Sequence, residues 1–413
     1  MSYESSALNY VGLYEEPNGS YQVDHSGTPG DFVPMPYVEG SLDLKGAEAD
    51  LDPQTGKMRL DGMDVTVLGV RSCSAAWTTR VHSHGQDLDG NVTPVTKSAW
   101  ALLRALQTIM GGMVATTNKS AQTEVQSGST TATAVEVTSG HGDRFQAGGV
   151  IGCEITAGLI EAREVLSVAG DVVSVKEAFS GVPITDSVVR GGITVYLTED
   201  PNSSLQVLRE GREAQDGSWF GGLQGGFTLQ LPAGELGDFQ FALQGAAWDE
   251  VGSSSATIPS YSNFSPMALS PLEVTVPTVG DTTRVVLEQS DIVITPGITY
   301  GPVKSGRAAN TIARMRRAAT RGVVKGTFTI PKEDQTWFTA RADREVRALF
   351  AQLGNVPGST VLISVPTIQI GMPADAQSGE NIRGIQVPFV ARHDEEIGST
   401  TEISYSALRI HFL

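Results

Sequence analysis

Two histidines followed by a short acidic run form the motif most suggestive of metal chemistry. His82 and His84 stand two residues apart, and the run at 87–91 reads DLDGN. Alternate residues of a strand face one side, so both imidazoles could bind one ion, and the acidic run resembles the start of a calcium loop. A zinc site needs three or four ligands, and a calcium loop needs an acid at its twelfth position, which here is Ser98. We therefore predict an exposed polar loop ahead of a helix, and no metal site.

Other patterns with catalytic potential are equally incomplete. The glycine-rich stretch 221–226 (GGLQGG) lacks the lysine and the strand–loop–helix context of a phosphate-binding loop, so its glycines are expected in turns or in closely packed strands. The sequence contains no GxSxG nucleophile motif. The acidic pairs Asp249/Glu250 and Glu395/Glu396 are expected on solvated faces. The sequence predicts a protein that is not an enzyme and needs no cofactor.

Six basic residues cluster within an otherwise acidic chain. They are Arg307, Arg314, Arg316, Arg317, Arg321 and Lys325. The simplest interpretation is a solvated loop or a short helix. The interpretation that we favour is a contact with an acidic surface on a neighbouring copy, because a chain with a net charge of −17 must limit its own repulsion when it assembles. A direct grip on DNA is less favoured, since the surrounding acidic field opposes it.

The elements that would position these residues are mainly strands. The chain has 413 residues, enough for two or three domains that each bury a core. Charged residues make up only 18% of it, glycines number 46, and β-branched residues recur throughout. This composition predicts a mainly β protein that is rich in turns.

Charge and cysteine content limit the classes of function. An acidic chain, with a pI near 4.8, does not neutralise DNA phosphates, although a like-charged wall would repel DNA and let it slide. Solubility is the alternative reason for the charge. Cys73 and Cys153 form no paired motif, which fits a reducing compartment. The N-terminus resembles no signal peptide, and no stretch reaches the ~20 apolar residues of a membrane helix, so we expect a soluble protein made in a cytosol.

Sequence patterns in the first third predict an arm, strands and one helix. Residues 1–36 show no sustained period and are expected to form an arm that is disordered or ordered by a neighbour. Strand-like alternation follows at 41–45 and 64–70, and 98–110 has the apolar spacing of a helix. The Ser/Thr-rich tract 116–133 is expected to be a linker.

The remaining segments predict an inserted unit, a hairpin and a second helix. Short β-branched pieces within 135–196 predict a small barrel with its own core. Alternating segments at 225–231 and 238–244 predict a hairpin. Residues 251–271 are expected to be a linker between domains, and 341–353 has the pattern of a second helix. Two units of several strands and one helix suggest an internal repeat. The local likenesses between them, of 104–106 with 347–349 and of 225–228 with 325–329, are short.

Three stretches of the chain resemble the major tail proteins, or tail tube proteins, of long-tailed bacteriophages. Residues 218–250 contain a strand, a Pro/Gly turn and the strand FQFALQG, which are typical of that family's tube domain. Residues 143–179 look like small barrels inserted in phage structural proteins, and 365–396 resemble the family's closing strands.

The resemblance implies tandem tail-tube β-sandwich domains, each flanked by one helix, with a small inserted β-barrel domain. The implied division is an N-terminal arm (1–36), the first part of a first tube domain (37–114), the inserted barrel (115–195), the second part of the first tube domain (196–255), a linker (256–271) and a second tube-like domain (272–413).

It also implies a structural virion protein that self-assembles into stacked homo-oligomeric rings with an acidic lumen, through which the viral DNA passes during ejection without specific binding. Two tandem domains would let a homotrimer mimic a hexameric ring, while one tube domain with a C-terminal extension would form a homohexamer. The implied partners are further copies of the chain and other tail proteins, namely the tape measure, the terminator and the tip. The implied location is the virion tail, assembled in the host bacterial cytoplasm, with no membrane and no cofactor.

Two other classes of function stay open. One is a tail-tip, baseplate or host-glycan-binding virion protein, which would carry an aromatic-lined site, and the five tryptophans form no evident cluster in sequence. The other is a β-rich hydrolase, which would need a carboxylate pair or a metal cluster.

Overall fold

The fold is taken from a computed structural model of the chain. It describes residues 10–16, 32–51, 67–83, 101–116, 123–198, 204–210, 217–232, 236–251, 273–278, 281–286, 291–297, 300–304, 312–317, 323–331, 336–344, 346–356, 358–378, 382–392 and 402–413.

The described strands and helices follow one another in a mainly β succession. The strands are β1 (Tyr10–Glu16), β2 (Val33–Pro34), β3 (Asp43–Leu51), β4 (Val67–Arg80), β5 (Gly111–Ala115), β6 (Ala134–Glu136), β7 (Val150–Thr156), β8 (Leu159–Ala169), β9 (Val172–Val175), β10 (Arg190–Gly191), β11 (Ile193–Leu197), β12 (Ser204–Glu210), β13 (Gly217–Leu231), β14 (Asp238–Gly245), β15 (Ala247–Val251), β16 (Glu273–Thr278), β17 (Asp281–Val286), β18 (Asp291–Pro296), β19 (Tyr300–Lys304), β20 (Ile312–Arg317), β21 (Val324–Pro331), β22 (Val346–Val356), β23 (Ser359–Ile370), β24 (Ala374–Ser378), β25 (Ile382–Ala391) and β26 (Arg409–Phe412). The helices are α1 (Ala101–Met110), α2 (Thr336–Ala342) and α3 (Glu402–Tyr405), and a 3-10 turn spans Gly142–Arg144.

The predicted mainly β fold is confirmed. Nineteen of the described strands join one hydrogen-bonded network, five form a separate small sheet, and β19 and β20 form a hairpin. Within the network, eight strands run side by side in the order β3-β4-β14-β13-β18-β21-β25-β24, with antiparallel pairing at each step. The predicted hairpin is confirmed as β13 and β14, where Phe227 pairs with Phe241.

A second antiparallel run lies in the same network, in the order β17-β16-β22-β23-β26-β11-β5. One hydrophobic cluster contains side chains from both runs, among them Phe241 and Phe328 of the first and Val365 and Ile410 of the second. The two runs therefore share one core, which also contains most of α1.

The prediction of an N-terminal arm over residues 1–36 is wrong for its described part. Strand β1 pairs with β12 of the same chain along seven residues, and Val11 and Leu13 are fully buried in the large core. The carboxylate of Glu16 is buried as well, where it accepts hydrogen bonds from Ser204 and from Gln206 Nε2 (2.6 Å). Because this partner strand lies far along the sequence, local periodicity gave no sign of the pairing.

One predicted helix is confirmed and the other is wrong. Helix α1 occupies the described part of 98–110, with its apolar face buried. The second helix is predicted over 341–353, but there the short α2 ends at Ala342 and strand β22 begins at Val346. Leu349 and Ala351 enter the large core, while Ala348 and Phe350 enter a smaller cluster on the other face. A strand buried on both faces gives a continuous apolar run, which periodicity does not separate from a buried helix.

The segment between β5 and β11 forms the small sheet, in the order β10-β7-β8-β9-β6, around its own core. Strands β5 and β11 pair with each other, so the chain leaves and re-enters the large network at adjacent positions. Residues 116–133 are predicted to be a linker. This prediction is wrong for 123–133, because Val125 is buried in the core of the small sheet and forms a β-bridge with Val137. The expected linker at 256–271 lies outside the described residues.

Candidate functional site

One face of the eight-stranded run forms a continuous surface of alternating residues. In β14 the residues alternate strictly, with Phe239 and Phe241 in the core and Gln240 and Gln244 exposed. The neighbouring strands continue this alternation in register, so one face packs on the core and the other meets solvent. The solvent side, here called the polar face, carries Ser74, Ala76 and Thr78 of β4, Thr228 and Gln230 of β13, Gln240, Ala242 and Gln244 of β14, Thr295 of β18, Thr327 of β21 and Gln386 of β25.

The described charges of the polar face nearly cancel. Lys45 Nζ lies 2.5 Å from Asp43 on β3, and Arg80 Nη1 lies 2.8 Å from Asp238 across β4 and β14. Lys325 on β21 is exposed. Asp291 of β18 also belongs to this face by strand register, so three acids and three bases give no acidic excess here, although the chain carries a net charge of −17. The excess acidic residues therefore lie elsewhere in the chain.

A shallow groove of about 520 Å³ crosses the second half of the polar face. Val293, Pro388 and Val390 form much of its apolar lining, and Lys325 is the single titratable residue among its described lining residues. Its other polar side chains are Thr295, Thr327 and Gln369, so the described lining holds neither a histidine nor a pair of carboxylates.

The eight strands of this run form two four-stranded units with the same order. The first unit is β3-β4-β14-β13 and the second is β18-β21-β25-β24. When the four strands of a unit are numbered along the chain, both units have the spatial order first, second, fourth, third. A helix follows the second strand in each unit, α1 after β4 and α2 after β21. Three antiparallel pairs between β13 and β18 join the units, from Leu229 with Ile294 to Leu231 with Ile292. Within the described residues, the outermost strands β3 and β24 each pair on one side only.

The six predicted contact residues do not form one described cluster. Arg314, Arg316 and Arg317 lie on β20, which pairs with β19 and contacts β4, β13 and β14 of the same chain. Lys325 lies apart from this hairpin, on the polar face. Arg307 and Arg321 lie outside the described residues. Their role as an intersubunit contact stays a prediction.

A buried polar cluster, not predicted from the sequence, connects the small sheet to the large network. Glu164 of β8 lies 2.5 Å from Arg409 Nη1 of β26 and accepts a hydrogen bond from Ser364 of β23. His411 Nε2 lies 3.7 Å from Glu164, and His411 Nδ1 is 2.9 Å from the hydroxyl of Thr194. Burial opposes ionisation of Glu164, but the charge of Arg409 and the proximity of His411 outweigh it and lower the pKa to about 2.

All five side chains of this cluster are buried, and they join strands of the small sheet and of the large network. Burial lowers the pKa of His411, with only partial opposition from Glu164, so the imidazole is neutral near pH 7. The sequence signal was two ionisable residues, Arg409 and His411, within an otherwise apolar closing strand, where unpaired charges are costly.

A side-chain clamp and an apolar contact complete the junction of the small sheet. The amide of Gln352 on β22 accepts from the backbone N–H of Ala162 (2.9 Å) and donates to the carbonyl of Ile160 (2.8 Å). Beside it, Val150 and Ala162 of the small sheet pack with Phe350 of β22. The small sheet is thus fixed to strands of the second half, although the chain enters it from the first.

Only His82 of the histidine motif lies within the described residues. His82 Nδ1 lies 2.7 Å from the carbonyl of Arg80, and His84, the run at 87–91 and Ser98 lie outside the described residues. Where the structure describes the chain, no three His, Cys, Asp or Glu residues come close enough to hold a metal ion. No helix in the described part has the length and apolar character needed to cross a bilayer.

Comparison with known proteins adds no assignment: no family model matches this chain, and no curated protein matches it. Function is therefore inferred from the chain's own geometry.

Proposed function

We propose that the chain is a structural subunit of a bacteriophage tail tube, which self-assembles into stacked rings. The observation that supports this most is the repeated four-strand order in the eight-stranded run. The run has an antiparallel junction in its middle and, within the described residues, a strand open on one side at each end. A sheet with two open edges is a template for further pairing, and closing it into a barrel removes both edges.

In this proposal the two four-stranded units are the inner sheets of two tandem tube domains with β-sandwich architecture. The first comprises 37–114 and 196–255, and the second comprises 272–413. The repeated strand order and the helix after each second strand support this division, although the two units lie over one shared core. The small sheet between β5 and β11 is a barrel-like insertion that decorates the outside of the tube.

A trimer follows from the tandem arrangement. Each chain contributes eight strands to the inner wall, so three copies place twenty-four strands around it, as six copies with four strands each would do. Barrel diameter grows with strand number, and a barrel of this size leaves an open channel.

The polar face lines the bore in this arrangement. Many of its side chains are uncharged, and two of its three described cations, Lys45 and Arg80, are each paired with an aspartate, so the face offers phosphates little cationic grip. DNA therefore passes without specific binding, over a wall that is polar and nearly neutral rather than strongly acidic. The arginine-bearing hairpin β19–β20 contacts a neighbouring copy, and the tube meets tape measure, terminator and tip proteins in a virion tail assembled in the bacterial cytoplasm.

Negative-stain electron microscopy at rising protein concentration tests the proposal, with light scattering to measure mass. Hollow rings that stack into tubes are expected, and the ring mass should equal three chains. A mass of six chains would retain the tube but reject the trimer. A discrete particle that never stacks would reject the tube and favour a tail-tip or host-glycan-binding protein.

A further inference from the structure

The chain contains its own example of a contact between four-stranded units. Strand β13, the third strand of the first unit, pairs with β18, the first strand of the second, so that Gln230 stands opposite Val293 and Leu229 opposite Ile294. In a ring of copies, which is the function proposed above, the next contact of this type joins β24 of one copy to β3 of its neighbour. The internal junction therefore serves as a template for the contact between copies.

Equivalent positions on the first strands follow from the ends of β4 and β21. We align the two units at Arg80, which ends β4, and Pro331, which ends β21, because each precedes the segment that leads to a helix. Three residues earlier, Trp77 is then equivalent to Phe328.

Because β3 pairs with β4 and β18 pairs with β21, the alignment of β4 with β21 also aligns β3 with β18. Asp43 pairs with Ala76 in the first unit, as Val293 pairs with Thr327 in the second. Asp43 of β3 is thus equivalent to Val293 of β18, and by the same count Leu44 is equivalent to Ile294.

The same counting of paired residues aligns β13 with β24, the strands on the other side of the contact. Asp238 stands opposite Arg80, and Gly384 stands opposite Pro331, so Asp238 and Gly384 are equivalent. Gln230 pairs with Asp238, and Ala376 pairs with Gly384. Ala376 of β24 is therefore equivalent to Gln230 of β13.

Apolar side chains are more deeply buried at the internal junction than at the edge formed by β3, as expected if a neighbouring copy covers that edge. Ile292 and Ile294, which β13 covers, are fully buried. By the same count their equivalents are Leu44 of β3 and Leu42, which immediately precedes β3, and both are only half-buried although they pack against the same core. A neighbouring strand at this edge would bury them as β13 buries the isoleucines.

The other edge carries charge. Asp375 on β24 is exposed and lies 3.7 Å from Arg383 of β25. Charged side chains are a known means of keeping an open edge from unspecific pairing, while a specific partner strand can still add to it.

We infer that neighbouring copies join through β24 of one and β3 of the next, in antiparallel register with Ala376 directly opposite Asp43. Asp375 then stands opposite Leu44 of the neighbour, and both Ala376 and Asp43 lie on the polar face. The partner recognised by these edges is a second copy of this chain.

Disulfide formation between copies tests the register. The double variant Asp43→Cys/Ala376→Cys places two thiols directly opposite each other, where Cβ atoms of an antiparallel pair lie about 4.5–5.5 Å apart. A diagonal pair, about 7–8 Å apart, is too distant for a bond without movement. The matched control is Asp43→Cys/Ala374→Cys, shifted by two residues on the same face. Cys73 and Cys153 are both buried, and wild-type protein measures their background.

Oxidation of assembled Asp43→Cys/Ala376→Cys rings is expected to produce covalent closed rings at least about tenfold faster than the shifted control. Mixing the two single variants should yield linked pairs of chains and nothing larger, which keeps the test valid if the double variant assembles poorly. Rings that link faster through Ala374, or that link through neither pair, would overturn the register while leaving the tube intact. Failure of the wild-type protein to form rings would instead reject the proposed function.

Discussion

Glu164 Oε1 and Arg409 Nη1 lie 2.5 Å apart, and neither side chain is exposed to solvent. The pair joins β8 of the small sheet to β26 of the large network, and Arg409 also donates two hydrogen bonds to the carbonyl of Ile403, which precedes β26. Removal of either partner of a buried ion pair is strongly destabilising, because the remaining charge is then buried without compensation. This contact therefore makes the attachment of the small sheet sensitive to single substitutions.

Replacement of Arg409 by Met should be strongly destabilising. It leaves the Glu164 carboxylate buried without its cation, which costs about 3–5 kcal/mol of unfolding free energy. Chemical denaturation of the unassembled protein measures the loss. Arg80→Met is the matched control, because its pair with Asp238 is exposed and should contribute less than about 1 kcal/mol. The double variant Glu164→Gln/Arg409→Met should lose less than Arg409→Met alone, and equal losses in the two would contradict the role of the stranded charge.

Stability should fall as the pH drops below about 6.5, partly because of His411. Its pKa is lowered by burial, so the unfolded chain binds a proton that the folded chain refuses. The folded state therefore loses up to about 1.4 kcal/mol per pH unit from this group on acidification, until the folded pKa is reached. Glu164 stays ionised throughout this window, since its stabilising effect is lost only below about pH 4.5. Unfolding free energies between pH 5 and 8 should decline less steeply in His411→Gln, and parallel curves would exclude His411 as the cause.

The Gln352 amide should be needed to hold the small sheet in place. Gln352→Ala removes both of its hydrogen bonds to the β8 backbone, and leaving buried peptide groups unpaired costs about 1–3 kcal/mol each. We expect faster proteolysis at the borders of the small sheet, with little change elsewhere. The control is Gln240→Ala, because Gln240 is an exposed glutamine of the polar face. Similar proteolysis of both variants would show that the apolar contact around Phe350 suffices.

Elements with local signals were predictable from the sequence, and those that depend on distant partners were not. Helix α1 and the β13–β14 hairpin follow from periodicity and a turn signal within a few tens of residues. Strand β1 depends on β12, about 190 positions away, so residues 10–16 looked like an unstructured arm. Strand β22 looked helical because Phe350 and Leu349 are buried on opposite faces.

The internal repeat was visible only in part, since it resides in the order of strands rather than in similar residues. The short likeness between 225–228 and 325–329 links β13 with β21, which occupy different places in their units. The likeness between Arg104 and Arg347 links a helix with a strand. The polar face also escaped prediction, because its members come from strands that become neighbours only in the folded sheet.

Charge reversal in the β19–β20 hairpin should separate folding from assembly. We expect Arg314→Glu/Arg316→Glu/Arg317→Glu to leave the monomer folded but to reduce assembly into tubes, because the cationic strand would then repel an acidic neighbour. Circular dichroism measures the fold, and electron microscopy with light scattering measures assembly. Replacement by Lys at the same positions is the control and should restore tubes. Normal tubes from the Glu variant would reject the contact role of these arginines.

Positive charge added to the polar face should make the tube retain DNA, if this face lines the bore. Gln240→Lys/Gln244→Lys places two cations per copy on the exposed side of β14, where the wild-type protein has neutral amides. Each phosphate neutralised contributes about −0.9 to the slope of log affinity against log salt, so retention should be strong at low salt and vanish at high salt. Fluorescence anisotropy of short duplex DNA with assembled tubes measures this. The matched control is Ile184→Lys/Val182→Lys, which adds the same charge at exposed positions of the small sheet unit, outside the proposed bore. Equal retention by both variants would place the polar face away from the bore, whereas retention by the β14 variant alone would support a neutral wall as the reason that DNA slides.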